Sequence, residues 1–108
     1  MWVFSKDSFL SIVADRNHKD RLLVRARIKG DIERAFPQAK VLSLKHADYH
    51  HRAFIDRAEV ARAIAEQVNA IDYPNFKDEV QRVSGGARHH AYFDVWAVMR
   101  DYQKPEPL

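Results

Sequence analysis

Short runs in which apolar and polar residues alternate dominate the first half of the chain. The clearest run begins at Arg21, where Val24 and Ala26 alternate with Arg25 and Arg27. Side chains two residues apart lie on the same face of a β-strand, so this run predicts a strand with one apolar face and one arginine face. Similar short runs, rich in β-branched and aromatic residues, complete a set of predicted strands at residues 2–5, 8–14, 21–28, 40–45 and 49–55.

The second half of the chain shows the spacing of amphipathic helices. Apolar residues three or four positions apart run from Val60 to Ile71 and form one stripe. Asp56 and Glu59 have the spacing of a capping box, in which the aspartate side chain accepts an amide proton at the helix start. Helices are predicted at residues 31–36 and 57–71, in a short segment through Phe76, Val80 and Val83, and at residues 88–103.

The predicted last helix is the most apolar segment of the chain. Its large apolar residues are Tyr92, Phe93, Val95, Trp96, Val98, Met99 and Tyr102. At ~100° per residue, all of them except Phe93 fall within about 160° of the helix circumference, which is typical of a helix that faces a core. We therefore expect this stripe to pack against the sheet and the 57–71 helix, and Phe93, His89 and His90 to be available to another protein.

The order of the elements, strands first and helices afterwards, is typical of an α+β protein. Short connections between the early strands favour antiparallel pairing. We expect an antiparallel sheet of about five short strands with two to four helices packed on one face. At 108 residues the chain has the length of one domain, predicted over residues 1–103, with a flexible C-terminal tail at 104–108.

Composition narrows the functional classes only slightly. The net charge of +3 permits an acidic partner but is too small to demand nucleic acid. The chain has no cysteine, which excludes disulfides and thiolate metal sites and is typical of a reducing compartment. The N-terminus has no signal-peptide pattern and no apolar run reaches the ~18 residues of a membrane span, so we expect a cytoplasmic protein.

The most suggestive binding feature is a set of cations on the predicted strands. Arg25 and Arg27 lie on one face of their strand, and His50 and Arg52 lie on one face of another. If these faces coincide with that of Trp2 and Phe4, the sheet would mix cations with aromatic rings, as in domains that bind single-stranded nucleic acid or an acidic partner. The alternative is that the arginines are solvated or paired with neighbouring carboxylates, with Trp2 and Phe4 in the core.

The histidines suggest a metal site, although this signal is weaker than that of the arginines on the predicted strands. In an extended segment His46, Asp48 and His50 would lie on one face, and imidazole and carboxylate are suitable ligands for zinc. No spacing in the chain matches a known ligand framework, and histidines solvated at a turn are the alternative. Gly85-Gly86, ahead of Arg88, His89 and His90, could hold a small anion at a helix N-terminus, although a linker between helices explains the same residues.

Five short segments of the chain carry a family resemblance. They are M-W-V-F-S-K-D at 1–7, F-L-S-I-V at 9–13, L-L-V-R-A-R at 22–27, Y-P-N-F-K at 73–77 and A-Y-F-D-V-W at 91–96. Together they resemble a family of small, uncharacterised bacterial and phage-associated proteins. The resemblance implies a compact small domain and supplies no activity. Some small proteins of phages and mobile elements bind and block a host defence complex, and this context, rather than any residue, makes such a function an expectation.

The sequence holds no recognisable catalytic motif, neither a nucleophile elbow nor a glycine-rich phosphate loop. We therefore expect a non-enzymatic binding protein that needs no cofactor and acts through a protein–protein surface, as a homodimer or with another protein. Arginine, tyrosine and tryptophan, which are favoured at interface hot spots, support this expectation. The alternatives are a single-stranded nucleic-acid-binding domain, and a small metal- or anion-dependent enzyme that uses the histidine clusters.

Overall fold

The computed structural model describes residues 1–103. Its elements, in chain order, are β1 (Trp2–Phe4), β2 (Phe9–Ala14), β3 (Arg21–Ala26), α1 (Asp31–Ala35), β4 (Leu42–Ser43), β5 (His51–Asp56), α2 (Arg57–Asn69), α3 (Phe76–Ser84) and α4 (Gly86–Gln103). The described residues form two compact units, Met1–Asp72 and 73–103. The prediction of a single domain over 1–103 stays a prediction, and the tail predicted at 104–108 lies outside the described residues.

The five strands form one antiparallel sheet in the order β1-β2-β3-β5-β4. The predicted α+β class and the antiparallel pairing are therefore confirmed. Strand β4 is much shorter than its predicted range of 40–45, and it pairs only at the edge of the sheet, with β5. Within residues 1–103, no helix combines the length and the apolar character that a membrane crossing requires.

One face of the sheet carries the core of the first unit. Ile12, Val24 and Ala53 are cross-strand partners in the centre of the sheet, and all three are buried. Helices α1 and α2 cover this face with Ile32 and Val60, while Phe36, which follows α1, belongs to the same cluster. Each fully buried large apolar side chain contributes about 1.5–3 kcal/mol, so this face is the main source of the unit's stability.

A buried carboxylate attaches α1 to the first hairpin. Asp31, the first residue of α1, accepts a hydrogen bond of 2.9 Å from the backbone N–H of Phe9 and forms an ion pair with Arg34. Arg34 in turn donates to the backbone carbonyl of Asp7, at 2.8 Å. These bonds hold the start of α1 beside the turn between β1 and β2.

The second unit contains the helix pair α3–α4. The rings of Phe76 and Tyr92 stack with their centroids 5.8 Å apart. Asn75 caps α3 by accepting the backbone N–H of Asp78 at 3.0 Å. Gly85, with φ of +85°, separates the two helices in a left-handed conformation that other residues adopt only under strain.

The structure contradicts two local predictions. Val95, Trp96, Met99 and Tyr102 of α4 are exposed, whereas the sequence predicted that they are buried. The helical residues in the core of the first unit come from α1 and α2. The capping box at Asp56 is also absent, since its side chain caps no amide of α2. Asp56 is the last residue of β5 and is still paired with Arg21, and α2 begins at the next residue.

Candidate functional site

A single row of residues crosses all five strands on the face opposite the core. The cross-strand pairs place Trp2 beside Ser11, Ser11 beside Arg25, Arg25 beside Arg52, and Arg52 beside Leu42. Residues paired directly across antiparallel strands project to the same side of the sheet. Trp2, Arg25 and Arg52 therefore share one face of the sheet, an arrangement that the sequence left open.

Two like charges lie side by side at the centre of this row. The Nε atoms of Arg25 and Arg52 are both buried, and neither donates a hydrogen bond to any described residue. Arg25 does donate through Nη2 to the hydroxyl of Ser11, at 2.9 Å. Like charges directly opposite each other destabilise a sheet, and each unsatisfied buried donor costs about 1–3 kcal/mol. The folded chain therefore carries an electrostatic cost at this point.

Tyr49 links the arginine row to Arg27. The Tyr49 ring is buried, and the guanidinium carbons of Arg25 and Arg27 lie 4.7 and 4.2 Å from its centroid. Arg27 also donates to the Asp48 carboxylate at 3.1 Å, and this hydrogen bond raises the pKa of Arg27 above its usual value. Arg27 thus has a carboxylate partner, whereas Arg25 and Arg52 form no ion pair with a described residue.

Aromatic rings share this face of the sheet. Trp2 is 65% exposed and makes an edge contact with Phe9, which also stacks on Phe4. Phe54, two residues beyond Arg52 on β5, is 46% exposed, and the guanidinium carbon of Arg21 lies 4.9 Å from its centroid. The face combines cations with accessible rings, which is the mixture expected from the sequence.

The structure does not assemble the predicted metal ligands. Asp48 is bonded to Arg27, and the ring contact of His50 is with His51, at 6.3 Å between centroids. No three His, Asp or Glu side chains within residues 1–103 are grouped as a metal site would require, and this includes His46, Asp48 and His50. His50 is exposed immediately before β5.

Helix α4 has two different apolar sides. On the side of Tyr92, helix α3 supplies both the Phe76 stack and Lys77, whose Nζ lies 4.3 Å from the Trp96 ring centroid and 5.7 Å from that of Phe93. Phe93 therefore contacts Trp96 and Lys77 within the helix pair. The helical projection predicted that Phe93 lies apart from the other apolar residues, and its contact with Trp96 shows that this prediction was wrong.

The other apolar side of α4 is exposed. Val95, Val98, Met99 and Tyr102, here called the α4 stripe, are 40%, 65%, 56% and 81% exposed. They fall within about 100° of the helix circumference. Ala91, together with Val95, Val98 and Tyr102 of the stripe, follows the alternating spacing of four and three residues that characterises a coiled-coil seam.

The histidines that open α4 remain a prediction as a protein interface. His90 is exposed and lies 3.7 Å from the Asp94 carboxylate one helical turn away. His89 is half-buried. These contacts are local to the helix, and they neither bring the two rings together nor align them with the α4 stripe.

Sequence reasoning missed Ser11 and Tyr49 as neighbours of the arginines. Alternation predicts which residues of one strand share a face, but it does not predict which strands are adjacent or in what register. The Arg25–Arg52 pair depends on β3 lying beside β5, which are separated in the chain by α1 and β4. Tyr49 precedes β5, and its position over the two guanidinium groups follows from that same register.

Comparisons with known proteins supply no function for this chain. No family model, no curated protein and no solved structure matches the chain.

Proposed function

We propose that this protein is a small non-enzymatic binding protein that docks an amphipathic helix of a partner protein on the α4 stripe. The exposure of four neighbouring large apolar residues on one side of α4 carries the proposal. Contiguous apolar surface of this kind marks protein interaction sites in folded proteins. A cytoplasmic location, as expected from the sequence, belongs to the same proposal.

The spacing of the stripe favours a helical occupant. Ala91, Val95, Val98 and Tyr102 repeat at intervals of four, three and four residues, so their side chains form a straight seam along α4. A partner helix with the same repeat fits such a seam by inserting its apolar side chains between those of α4. Tyr102, at 81% exposed, supplies the kind of large amphipathic anchor that dominates interface energies.

Site-specific photocrosslinking tests this proposal. A photoreactive amino acid replaces Val98 on the stripe in one variant and His90 in a matched control, because His90 is exposed on another side of the same helix. In cells that express the protein, we expect the Val98 position to cross-link to a helical segment of one partner and the His90 position to give no such product. A Tyr102→Ala change in the same chain should reduce the Val98 product by about tenfold.

Other products would contradict the helix-docking proposal. Cross-links between two copies of this chain would replace the partner with a homodimer, which light scattering would then confirm as a concentration-dependent mass. Equal products from the Val98 and His90 positions, or none from Val98, would remove the α4 stripe as the binding surface.

A second candidate function is single-stranded nucleic-acid binding on the arginine face of the sheet. The row that joins Trp2, Arg25 and Arg52 favours it, because guanidinium groups contact phosphates while exposed rings stack on bases. A fluorescent single-stranded oligonucleotide should bind more weakly as salt rises. Arg25→Gln or Arg52→Gln should lower the slope of log K against log salt by about 0.7 for each phosphate that the substituted arginine neutralises.

The control for this experiment matches the change in net charge. Arg62→Gln, on the exposed surface of α2, removes one positive charge away from the sheet. An equal effect of Arg62→Gln would indicate general electrostatic attraction, and absence of binding at low salt would exclude the second candidate function.

A further inference from the structure

We infer that Arg25 and Arg52 together form a binding site for one phosphate-type oxyanion. The site lies on the sheet face of the second candidate function, but it needs only a phosphate group and no nucleic-acid polymer. Its evidence is independent of the α4 stripe.

Arg25 and Arg52 differ from other arginines in the chain. Five described arginines have a carboxylate partner: Arg21 with Asp15, Arg27 with Asp48, Arg34 with Asp31, Arg82 with Glu79 and Arg100 with Asp101. Arg25 and Arg52 lie directly opposite each other, and neither forms an ion pair with a described residue. The sheet therefore holds two adjacent positive charges without a negative one.

Each of the two arginines carries an unsatisfied hydrogen-bond donor. The Nε–H groups of Arg25 and Arg52 are removed from solvent and have no acceptor among the described residues. Buried polar groups in folded proteins are almost always paired, so two unsatisfied donors on neighbouring side chains indicate an acceptor that the chain itself does not supply. An oxyanion between the two guanidinium groups would accept from both.

Neighbouring side chains hold Arg25 in place. Arg25 donates to Ser11 Oγ at 2.9 Å, and its guanidinium carbon lies 4.7 Å from the buried Tyr49 ring. These contacts restrict the side chain before any ligand arrives, and less entropy is then lost on binding. Both arginines also project from central strands of the sheet, which are more rigid supports than loops.

The charge of the site selects the ligand class. Two guanidinium groups supply two positive charges and several donors in fixed planes, which match the oxygens of a phosphate group better than they match a single carboxylate. A phosphate monoester carries a charge of about −1.5 to −2 near neutral pH. The source of the phosphate is either a free phosphorylated small molecule or the backbone of a nucleic acid.

Thermal unfolding with inorganic phosphate tests the site. At constant ionic strength, replacement of chloride by phosphate should raise the Tm of the unaltered protein, and calorimetric titration should give a saturable isotherm. Arg25→Gln and Arg52→Gln should each weaken phosphate binding by about tenfold or more, equivalent to about 1.4 kcal/mol. Arg62→Gln should leave binding unchanged, because Arg62 is exposed on α2.

The variants must also be shown to fold. Removal of one of two opposed charges relieves repulsion, so without phosphate the Tm of Arg52→Gln should equal or exceed that of the unaltered protein. An NMR titration of the unaltered protein provides a second measurement that needs no variant to fold. Phosphate should shift two arginine Nε–H signals, which are assigned to Arg25 and Arg52 by their loss in the corresponding variants or by through-bond experiments.

The outcomes separate this inference from the second candidate function. Phosphate binding without oligonucleotide binding supports the site and assigns it to a small phosphorylated molecule, while binding of both assigns it to a nucleic-acid phosphate. Oligonucleotide binding that is unaffected by Arg25→Gln and Arg52→Gln would contradict the second candidate function, and phosphate binding that is unaffected by the same changes would overturn the site. The absence of a phosphate-dependent Tm shift and of Nε–H shifts in the unaltered protein would overturn it outright.

Discussion

Large apolar residues are buried in the core of the first unit, whereas most of those on helix α4 of the second unit are exposed. Leu10, Val24 and Phe36 of the sheet unit are at most 1% exposed. In α4 only Tyr92 of the large apolar residues is buried, and Tyr102 is 81% exposed. Since both segments are rich in apolar residues, hydrophobic content alone does not decide what is buried.

The difference arises from the number of neighbours that each element has. A central strand has a strand on either side, and in this sheet two helices cover one of its faces. Within its own unit α4 packs on α3, which covers only the side that carries Tyr92 and Trp96. The core of the sheet unit should therefore control stability, whereas the α4 stripe should affect binding and have little influence on stability.

The largest expected effect is that of Phe36→Ala in the sheet core. Phe36 is 1% exposed and packs with Ile32 and the buried strand residues. Truncation of a buried phenylalanine to alanine removes apolar packing and leaves a cavity, which costs about 3–5 kcal/mol. Urea unfolding followed by far-UV circular dichroism should show a correspondingly lower free energy of unfolding.

A matched truncation on α4 provides the contrast. Met99→Ala also removes a large apolar side chain, but Met99 is 56% exposed, and exposed substitutions usually change stability by no more than about 0.5 kcal/mol. A loss of stability from Met99→Ala as large as that from Phe36→Ala would mean that the α4 stripe is part of a core, and it would remove the basis of the helix-docking proposal.

The next effect in size is expected from Tyr92→Ala in the helix pair. This change removes the ring stacked on Phe76 and the hydroxyl that accepts from Arg88 at 3.2 Å. We expect a loss of about 2–4 kcal/mol in the local stability of α3 and α4. Amide hydrogen exchange should show faster exchange in residues 76–103 and little change in the strands; equal acceleration in both units would contradict the distinction between them.

The sequence predicted the fold well where local patterns determine structure. Alternation located the strands and their buried faces, as with Val24 against Arg25, because the strand period is the same wherever the strand lies in the sheet. The prediction for α4 was wrong because a broad apolar stripe shows which side of a helix avoids water, but not whether another element covers that side. Coverage depends on tertiary packing, which no local spacing encodes.

The candidate site was predictable only in part. Arg25 and Arg52 were assigned to the correct faces of their strands, but the order β3-β5 makes them neighbours, and strand order is a non-local property. The unsatisfied Nε atoms are also a product of that packing. The opposite relation holds for the candidate metal ligands His46, Asp48 and His50. They lie close together in the sequence, but within the described residues they are not grouped as a metal site.

A smaller effect is expected from the helix caps, which differ between the two units. Asn75 accepts the Asp78 amide at 3.0 Å and caps α3, whereas the Asp56 side chain caps no amide of α2. Asn75→Ala should therefore cost about 1 kcal/mol, the usual value of a side-chain N-cap, and Asp56→Ala should lose no cap energy. Urea unfolding of the two variants compares them directly. A larger loss of stability from Asp56→Ala would show that its carboxylate stabilises α2 after all.

The smallest effect is expected at Asp15, beyond the end of β2, and it depends on pH. The backbone N–H of Asn17 donates to Asp15 at 2.9 Å and Arg21 pairs with it at 2.8 Å, so its pKa lies below the usual value, although burial opposes the shift. Because the folded pKa is lower than the unfolded value of about 3.9, the ionised carboxylate stabilises the fold at neutral pH. That contribution is lost as pH falls through the unfolded pKa toward the folded one.

Asp15→Asn should thus be less stable than the unaltered protein at pH 7, and the difference in stability between the two proteins should narrow as the pH is lowered toward about 2. Thermal unfolding of both proteins across this range measures the gap, and a gap that stays constant would show that the Asp15 charge contributes nothing.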